Sequence, residues 1–518
     1  MPTSVRNVLF IMCDQLRWDH LRCYGHPTIR THNIDALAAR GVRFASAFVA
    51  SGICGPSRMS FYTGRYMSSH GATSNRVPLS VGEMTLGEYL EEAGVMPVLA
   101  GKSHVIPDRK GLARLAIDGA SKVGLLLAAG GFREIDRYDG HHAPGAESGY
   151  PAFLRSHGYV AKEPWGEWVI SVLDAEGNVR SGWQMRHAHL PARVREEESE
   201  TAYMTDRAMR FIESEGGRPW MLHLSYVKPH WPYIAPAPYH GLYAQQECLP
   251  LRRTERERAE AHPVYAAYLQ REVSVNFARE EVAWPIRRVY QGLVQQIDDH
   301  LGRLFDLMER LGRWEDTLVI FTSDHGDYLG DHWLGEKELF HDTIQRVPLI
   351  IAHPEGVRGV VAEELVSTID VLPTILEGLG ISLPSHRIEG HSLLPRLLAG
   401  ADSAPRRAVF SELDYSFSRA RLTLKRGPAD CRGWMVRTAR WKYVHWIGFP
   451  PQLFDLADDP EEFSDLGTSN SHEQVRAEMR ALLLDWHGGL KRRVTMTDDE
   501  VAAATDRHKE AGVFFGVW

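Results

Sequence analysis

The stretch NVLFIMCDQ, residues 7–15, decides the fold class of this chain. Residues 8–12 are all apolar, as in a strand that is buried on both faces, and Asp14 and Gln15 follow almost directly. Strands of this kind occur in parallel sheets whose two faces are covered by helices. The stretch therefore predicts an α/β protein with polar side chains at the carboxyl end of its first strand.

Buried strands and helical patterns alternate from this stretch to residue 405. Further strands are predicted at residues 96–100, 220–226, 317–322 and 346–352, and helices at residues 34–40, 56–63, 85–93 and 287–311. Asn33 is the expected N-cap of the first helix. Residues 130–200 show weak periodicity and are predicted to be long loops over the sheet edge. The order predicts a mostly parallel central sheet flanked by helices.

The pattern changes after residue 405. Short strands at residues 408–413, 434–438 and 442–446 and a helix at residues 472–490 predict a small antiparallel sheet with one helix. We therefore divide the chain into an α/β domain over residues 1–405, a C-terminal α+β subdomain over residues 406–497 and a tail over residues 498–518. The tail ends in VFFGVW. Such an apolar end should be buried against the protein's own core or against a neighbouring subunit.

Composition excludes several kinds of partner and site. The 518 residues include 67 acidic and 59 basic side chains, and the net charge of −8 argues against a nucleic-acid surface. No run approaches the ~20 apolar residues that span a bilayer. Residues 8–12 are too short for a signal-peptide core, so a cytoplasmic protein without a membrane partner is expected. The five scattered cysteines fit neither a disulfide framework nor a zinc site with paired cysteines.

Chemically active side chains follow four of the predicted strands. They are Asp14 and Gln15, Lys102 and His104, Lys228 and His230, and Asp324, His325 and Asp327. A single Asp or His at a strand end is more often a cap or a turn residue. The carboxyl ends of parallel strands meet at one edge, however, and open α/β sheets bind their ligands there. The four groups together therefore predict a functional site at that edge.

Three of these side chains can form a metal site. Asp14, Asp324 and His325 supply carboxylate oxygens and one imidazole, a set that suits Mg, Ca or Mn better than Zn. The alternative is that Asp324 caps the next helix and His325 is simply buried. Asp14 follows a different predicted strand and is expected at the same edge, which argues against that alternative.

The segment CGPSR, residues 54–58, is the most specific in the chain. Pro56 suits the first turn of a helix, which places Cys54 just before a helix N-terminus. Backbone N–H groups at such a position favour anions and lower the pKa of a thiol, so Cys54 is a candidate nucleophile. A buried structural cysteine is the alternative, because free cysteines are commonly buried.

The same segment resembles the signature of the sulfatase family, within the alkaline-phosphatase-like superfamily. Cys54, Pro56, Ser57 and Arg58 match C-x-P-S-R, and residues 59–65, which end in TGR, match the longer form. The resemblance covers nearly the whole chain and includes residues 7–15, 101–104, 229–230, 322–327, 337 and 441–444 in the family's order. It implies that a formylglycine-generating enzyme oxidises Cys54 to formylglycine (3-oxoalanine) after translation, and that the hydrate of this aldehyde is the nucleophile.

The resemblance also implies roles for individual residues. One divalent metal ion per subunit would be bound by Asp14, Asp324, His325 and the modified Cys54, and Arg58 would hold the formylglycine. The sulfate group would be contacted by Asn75, Lys102, His104, His230 and Lys337. His104 would help the covalent sulfate ester to collapse. His230 or Lys337 would protonate the leaving oxygen.

Two positions depart from the common family pattern. Gln15 follows Asp14 where many sulfatases have a second acid, and His325 follows Asp324 where Asn is frequent. This variant resembles phosphonate monoester hydrolases and choline sulfatases. Imidazole and amide in place of a carboxylate lower the negative charge of the site, which favours manganese over calcium.

These observations predict an arylsulfatase-like sulfuric ester hydrolase acting on a small-molecule sulfate ester. The alternative is a phosphonate monoester hydrolase or phosphodiesterase with the same nucleophile, and activity toward phosphonate and phosphate esters is a possible side reaction. The segment GKSH, residues 101–104, favours sulfate, because the phosphonate enzymes carry uncharged hydroxyl residues there. A non-catalytic binding protein would have lost the nucleophile or a metal ligand, and none is lost.

Substrate and assembly are less defined by the sequence. Residues 130–200 and 235–277 are expected to set specificity, and their tryptophans could cage a quaternary ammonium group or simply pack. Phosphonate-hydrolase-like members of the superfamily are oligomers with extended terminal arms. The resemblance therefore implies a homodimer or homotetramer in which residues 498–518 form the arm.

Overall fold

The computed structural model describes residues 5–140, 149–215, 217–399 and 406–516. Its strands are β1 (Asn7–Asp14), β2 (Val42–Phe48), β3 (Met96–Gly101), β4 (Arg133–Arg137), β5 (Ser171–Leu173), β6 (Val179–Ser181), β7 (Trp220–Pro229), β8 (Thr317–Ser323), β9 (Arg346–Ala352), β10 (Val360–Ser367), β11 (Val409–Asp414), β12 (Arg432–Arg437), β13 (Trp441–Trp446) and β14 (Gln452–Asp455).

The α-helices lie between these strands and after them. They are α1 (His32–Arg40), α2 (Cys54–Thr63), α3 (Met67–His70), α4 (Leu86–Glu92), α5 (Arg109–Arg114), α6 (Lys122–Ala128), α7 (Gly149–Ser156), α8 (Glu200–Ser214), α9 (Glu255–Ala259), α10 (Pro263–Leu269), α11 (Glu272–Phe277), α12 (Glu280–Arg310), α13 (Asp342–Gln345), α14 (Val371–Gly378), α15 (Leu394–Ala399), α16 (Arg419–Thr423), α17 (Glu473–Gly489) and α18 (Asp498–Ala504).

Eight of the described strands form one large sheet. Their order is β10-β2-β9-β8-β1-β7-β3-β4. The five strands from β8 to β4 run parallel to their neighbours, whereas β9 runs antiparallel to both β8 and β2. The prediction of a mostly parallel sheet is therefore confirmed, with β9 as the antiparallel exception.

The central strand β1 separates two hydrophobic cores. Leu9 and Ile11 pack into the core that α8 and α12 cover. Val8 and Phe10 pack into the core that α2 and α14 cover on the opposite face. Every residue of β1 is buried, which explains why its sequence is apolar at consecutive rather than alternate positions.

The C-terminal part forms the predicted small antiparallel sheet. Strands β11 to β14 pair in chain order, and α17 packs on the sheet through Met479 and Leu483. Val436 and Tyr443 of the sheet complete this small core. The fourth strand, β14, has only four residues and was not predicted.

Two local predictions were wrong. The first helix begins at His32 with Thr31 at its N-cap, and the side chain of Asn33 instead donates to Asp298 of α12. Residues 130–200 are not all loops. They contain β4, α7 and the hairpin of β5 and β6, and α8 begins at their last residue. Strand β4 reads REIDR and lies at the sheet edge, so it lacks the apolar run that marks a central strand.

The end of the chain is exposed as far as it is described. Val513, Phe514 and Phe515 have 52%, 64% and 89% of their surfaces exposed. They are therefore not buried against the protein's own core, one of the two expected arrangements. Val517 and Trp518, which belong to the same apolar segment, lie outside the described residues.

The longest helix, α12, has 31 residues and is amphipathic rather than apolar. Its buried face includes Leu293 and Leu301, while Glu309 and Arg310 are exposed at its end. Within the described parts of the chain, no helix is both long and apolar enough to cross a membrane.

Candidate active site

The carboxyl ends of four neighbouring parallel strands bring the candidate residues to one edge of the sheet. Asp14 ends β1, Lys102 follows β3, His230 follows β7 and Asp324 follows β8. Because β3, β7, β1 and β8 are adjacent and parallel, these side chains share that edge. The predicted juxtaposition at this edge is present in the fold.

Four buried side chains form a compact cluster at this edge. One donor atom each from Asp14, Cys54, Asp324 and His325 lies within 4.8 Å of the others. His325 Nε2 is 3.1 Å from Cys54 Sγ, 3.6 Å from Asp324 Oδ1 and 3.9 Å from Asp14 Oδ1. Two carboxylates and an imidazole fit a divalent cation of the magnesium, calcium or manganese type, so the donor set fits the expected metal.

The segment CGPSR places Cys54 at this cluster. Cys54 is the first residue of α2, so the helix begins two residues before the predicted start at residue 56, and Cys54 is buried. Gly55 N donates to Asn75 Oδ1 at 2.7 Å, and a Cβ on Gly55 would lie 2.9 Å from that oxygen. Ser57 Oγ donates to the Asp324 carbonyl oxygen at 2.6 Å. Pro56 occupies the first turn, so each position of the segment has a structural reason.

Arg58 is fully buried and binds both carboxylates of the cluster. Its Nε is 2.8 Å from Asp324 Oδ2, and its Nη2 is 3.3 Å from Asp14 Oδ2. Nη1 donates to the Lys102 carbonyl oxygen and to Ser225 Oγ, both at 2.8 Å. Burial lowers the pKa of Arg58, but Asp324 and Asp14 outweigh it and raise the pKa above its ordinary value. Arg58 therefore fixes the cluster through its carboxylates.

Lys102 reaches Asp14 from the neighbouring strand and forms an ion pair with it. Gly101, which ends β3, has φ 105°, and a Cβ there would lie 2.0 Å from the Ser225 carbonyl oxygen. A side chain at position 101 would therefore push β3 away from β7. Glycine at this position is what allows Lys102 to reach the cluster.

Lys337, next to His230, forms the second cationic side of the site. Lys337 Nζ lies 3.1 Å from His230 Nε2 and donates to Gln15 Oε1 at 2.8 Å. Burial lowers the pKa of Lys337, but Cys54, Glu336 and other acidic groups raise it above its ordinary value. Burial and then Lys337 hold the pKa of His230 well below its usual range. Both shifts favour a proton on Lys337 Nζ over one on His230 Nε2.

The cations around the cluster favour negative charge at its centre. Burial raises the pKa of Asp14, but Lys102 and other cations, among them Arg58, outweigh burial and hold it well below the usual range. Burial and Asp14 raise the pKa of the Cys54 thiol, yet Lys337 and other cations bring it below its ordinary value. A site of this kind can accept an anionic substrate.

Sequence reasoning missed Asp139, which holds the backbone around His104. Asp139 Oδ1 accepts from the N–H groups of Ser103 at 2.9 Å and of His104 at 3.1 Å. His104 has φ 57°, an uncommon value for a residue other than glycine, and the two bonds stabilise this turn. Asp139 follows edge strand β4, so the strand-end rule could have found it if β4 had been recognised.

Gln15 and Asp327 are hydrogen-bonded to each other next to the cluster. Gln15 N donates to Asp324 Oδ1 at 3.0 Å, and Gln15 Nε2 donates to Asp327 Oδ2 at 2.5 Å. Tyr233 OH also donates to Asp327 Oδ2, at 2.6 Å. Asp327 therefore orients Gln15, which in turn positions Lys337, and it contributes no donor atom to the four-residue cluster. Tyr233 was not anticipated from the sequence.

Comparison with known families matches two family models to the chain. The model described as Sulfatase matches residues 6–381. The model described as N-sulphoglucosamine sulphohydrolase, C-terminal, matches residues 330–488. Together the two models extend over the large sheet, the whole small antiparallel sheet and all of α17 except Gly489.

Individual relatives and structures are similar over nearly the whole chain. The multifunctional alkaline phosphatase superfamily protein PehA of Trinickia caryophylli is 33% identical over 93% of this chain and 95% of its own length. The choline-sulfatase of Rhizobium meliloti is 29% identical over 90% of this chain and 83% of its own. The structure of the phosphonate monoester hydrolase SpPMH from Silicibacter pomeroyi superposes with a TM-score of 0.83 at 28% identity, covering 95% of this chain and 97% of that one.

Proposed function

Because this chain belongs to the sulfatase family and has the alkaline-phosphatase-like fold, we propose that it hydrolyses sulfate monoesters of the arylsulfatase type. The observation that carries the proposal is the buried cluster of Asp14, Cys54, Asp324 and His325, with cations on two sides. The cluster has a position for a nucleophile, donors for a metal ion and cations for an anionic substrate.

The proposed metal ligands are Asp14, Asp324, His325 and the modified residue 54. One divalent ion bound there would supply positive charge that stabilises the transferring group. The imidazole of His325 and the nearby amide of Gln15 reduce the negative charge of the donor set, so manganese is proposed in preference to calcium.

The proposed nucleophile is formylglycine at position 54. A formylglycine-generating enzyme, with dioxygen as the external oxidant, would oxidise the Cys54 side chain by two electrons to an aldehyde. The carbon–sulfur bond would break, the sulfur would leave as sulfide, and water would hydrate the aldehyde to a geminal diol. One hydroxyl attacks sulfur and the sulfur–oxygen bond to the alcohol breaks, which leaves a sulfate ester on residue 54. The second hydroxyl loses its proton, the carbon–oxygen bond to sulfate breaks, and the aldehyde is regenerated.

The proposed general acid is Lys337, which carries the proton of the Lys337–His230 pair. Protonation of the leaving oxygen removes the charge that develops when its bond to sulfur breaks. His230 Nε2, 3.1 Å from Lys337 Nζ, can accept a hydrogen bond and orient the ammonium group. Asn75, which fixes the start of α2 through Gly55, is proposed to contact the sulfate group together with Lys102 and His104.

The alternative is a phosphonate monoester hydrolase with the same nucleophile. The likeness to SpPMH and the pair Gln15 and His325 favour it, whereas Lys102 and His104 favour sulfate. Activity toward phosphonate and phosphate esters is proposed as a side reaction, since one relative is named multifunctional. The test is kcat/KM for 4-nitrophenyl sulfate, choline sulfate and a phenylphosphonate monoester. We expect the aryl sulfate to give the highest value, and a higher value for the phosphonate would contradict the proposal.

His104→Ala is expected to slow breakdown of the sulfated enzyme more than its formation. The proposed role of His104 is to take the proton of the second hydroxyl, and loss of a general base typically costs 10²–10⁴-fold. A pre-steady-state burst of alcohol, followed by turnover slowed at least ~10²-fold, should appear in rapid-quench measurements. Unchanged turnover in this variant would show that the assigned role is wrong.

We also propose that residues 1–405 form the catalytic domain, residues 406–497 a subdomain and residues 498–518 an oligomerisation arm. The exposed side chains of Phe514 and Phe515 support a partner surface for the arm in a homodimer or homotetramer. Deleting residues 506–518 should lower the mass measured by light scattering. A truncated protein with the mass of the full-length assembly would contradict the arm.

A further inference from the structure

A cavity of about 460 Å³ opens to solvent between the segment at residues 182–185 and helix α11, and it is lined by residues that adjoin His230 and Lys337 in the chain. Its lining includes Trp183, Trp231, Tyr233, Arg271, Val273 and Glu336. The volume is within the range of small-molecule sites, which bury most of a ligand. Residues 130–200 and 235–277, which the sequence analysis expects to set specificity, supply part of this lining.

The cavity adjoins the proposed general acid. Trp231 follows His230 directly, and the centroids of the two rings are 4.4 Å apart. Lys337 Nζ lies 5.9 Å from the centroid of the Trp231 ring, and Glu336, the preceding residue, lines the cavity. A leaving oxygen that takes its proton from Lys337 would therefore have the remainder of its alcohol directed along the face of Trp231.

The aromatic wall of the cavity is held in place by its neighbours. Trp231 Nε1 donates to Glu336 Oε1 at 3.2 Å, and Arg271 Nη2 is 2.6 Å from Glu336 Oε2. Trp183 packs against Trp231 with ring centroids 5.4 Å apart and an interplanar angle of 60°. Trp183 also contacts Trp165 edge-on at 6.0 Å. The wall thus presents a fixed aromatic surface to an occupant.

The charges around the cavity balance. Two basic side chains, Arg271 and Arg419, and two acidic ones, Glu272 and Glu336, line it. Arg271 is already paired with Glu336 and, at 3.2 Å, with Glu338, so its charge is not available to an anionic substituent. The lining favours neither a cationic nor an anionic alcohol. The aromatic wall and Val273 favour a flat apolar one.

We infer that this cavity is the subsite for the leaving group, that its occupant is an uncharged aromatic ring, and that Trp183 determines this specificity. The inference rests on the proposed function, because the leaving group is defined by the ester bond that Lys337 helps to break. Trp183 has 46% of its surface exposed, so its replacement should not disturb the fold.

The test compares Trp183→Ala with the wild-type protein on a phenyl ester and a methyl ester of the same acid. Differences in intrinsic reactivity cancel in the ratio of variant to wild type. We expect kcat/KM for the phenyl ester to fall roughly tenfold and kcat/KM for the methyl ester to change less than about twofold. Trp314→Ala, at the opposite end of the sheet just before β8, is the matched control and should change neither.

Three further outcomes would overturn the inference. Equal effects on both esters would show that Trp183 does not contact the leaving group. A larger loss with choline sulfate than with the phenyl ester would assign the cavity to a cation. Equal inhibition of the wild-type protein and of Trp183→Ala by phenol would show that no aromatic ring binds against Trp183. All three leave the proposed function intact, whereas that function fails if the wild-type protein cleaves none of these esters.

Discussion

Replacing Asp324 by alanine is expected to abolish metal binding and to lower kcat/KM by at least ~10³-fold, since the charge of a bound metal supplies several kcal/mol. Asp324 offers one oxygen to the cluster and accepts Arg58 Nε with the other, at 2.8 Å. The variant therefore loses a ligand and leaves the buried Arg58 with Asp14 as its remaining carboxylate partner. Elemental analysis and steady-state kinetics on the same preparation measure both effects.

The same substitution has a stability cost that must be separated from the loss of metal. Removing one partner of a buried ion pair typically lowers the free energy of unfolding by about 3–5 kcal/mol. Asp324→Asn keeps the shape of the side chain and is the second variant. Asp331→Asn is the matched control, because Asp331 is an equally buried carboxylate paired with Arg17 and Arg287 outside the cluster. We expect Asp331→Asn to be less stable and to retain its metal. Normal metal content in both Asp324 variants would show that the site is misplaced.

Cys54→Ala is expected to lower kcat/KM by at least ~10⁴-fold, because the proposed covalent intermediate cannot form without the nucleophile. Asp14, Asp324 and His325 remain as donors, so metal content should fall far less than in Asp324→Ala. This difference separates loss of the nucleophile from loss of the metal. Cys23→Ala, which removes a half-buried thiol elsewhere, is the control and should keep full activity. Activity in Cys54→Ala comparable to that of the wild-type protein would contradict the assignment of residue 54 as the nucleophile.

The sequence predicted those parts of the fold where burial leaves a continuous apolar pattern. Strands β1, β3, β7 and β8 are buried and parallel, so their apolar runs and the polar residues that follow them identify both the sheet and one edge of it. Asp14, Asp324 and His325 were named on this basis, and Cys54 was named from the segment CGPSR. The donor atoms of all four lie together.

The parts that could not be predicted have a different physical origin. Strand β4 lies at the sheet edge and is rich in charged residues, so it was not predicted as a strand. Because Asp139 follows β4, its hydrogen bonds to the backbone around His104 were overlooked as well. The contacts of Trp183 and Trp231 join segments far apart in sequence, so no local pattern marks their cavity. Arg58 stays a predicted contact of the modified residue 54, and the structure adds its ion pairs with Asp14 and Asp324, which no local sequence pattern marks.

Mass spectrometry of the peptide that contains residue 54 tests the central claim most directly. The protein should be produced together with a formylglycine-generating enzyme and digested with trypsin. The fraction of residue 54 that is modified should then be compared with the kcat/KM of the same preparation. We predict that residue 54 has lost its sulfur and is present as the aldehyde or its hydrate, in a fraction that rises in proportion to activity. Fully active protein in which residue 54 is entirely unmodified cysteine would contradict the account.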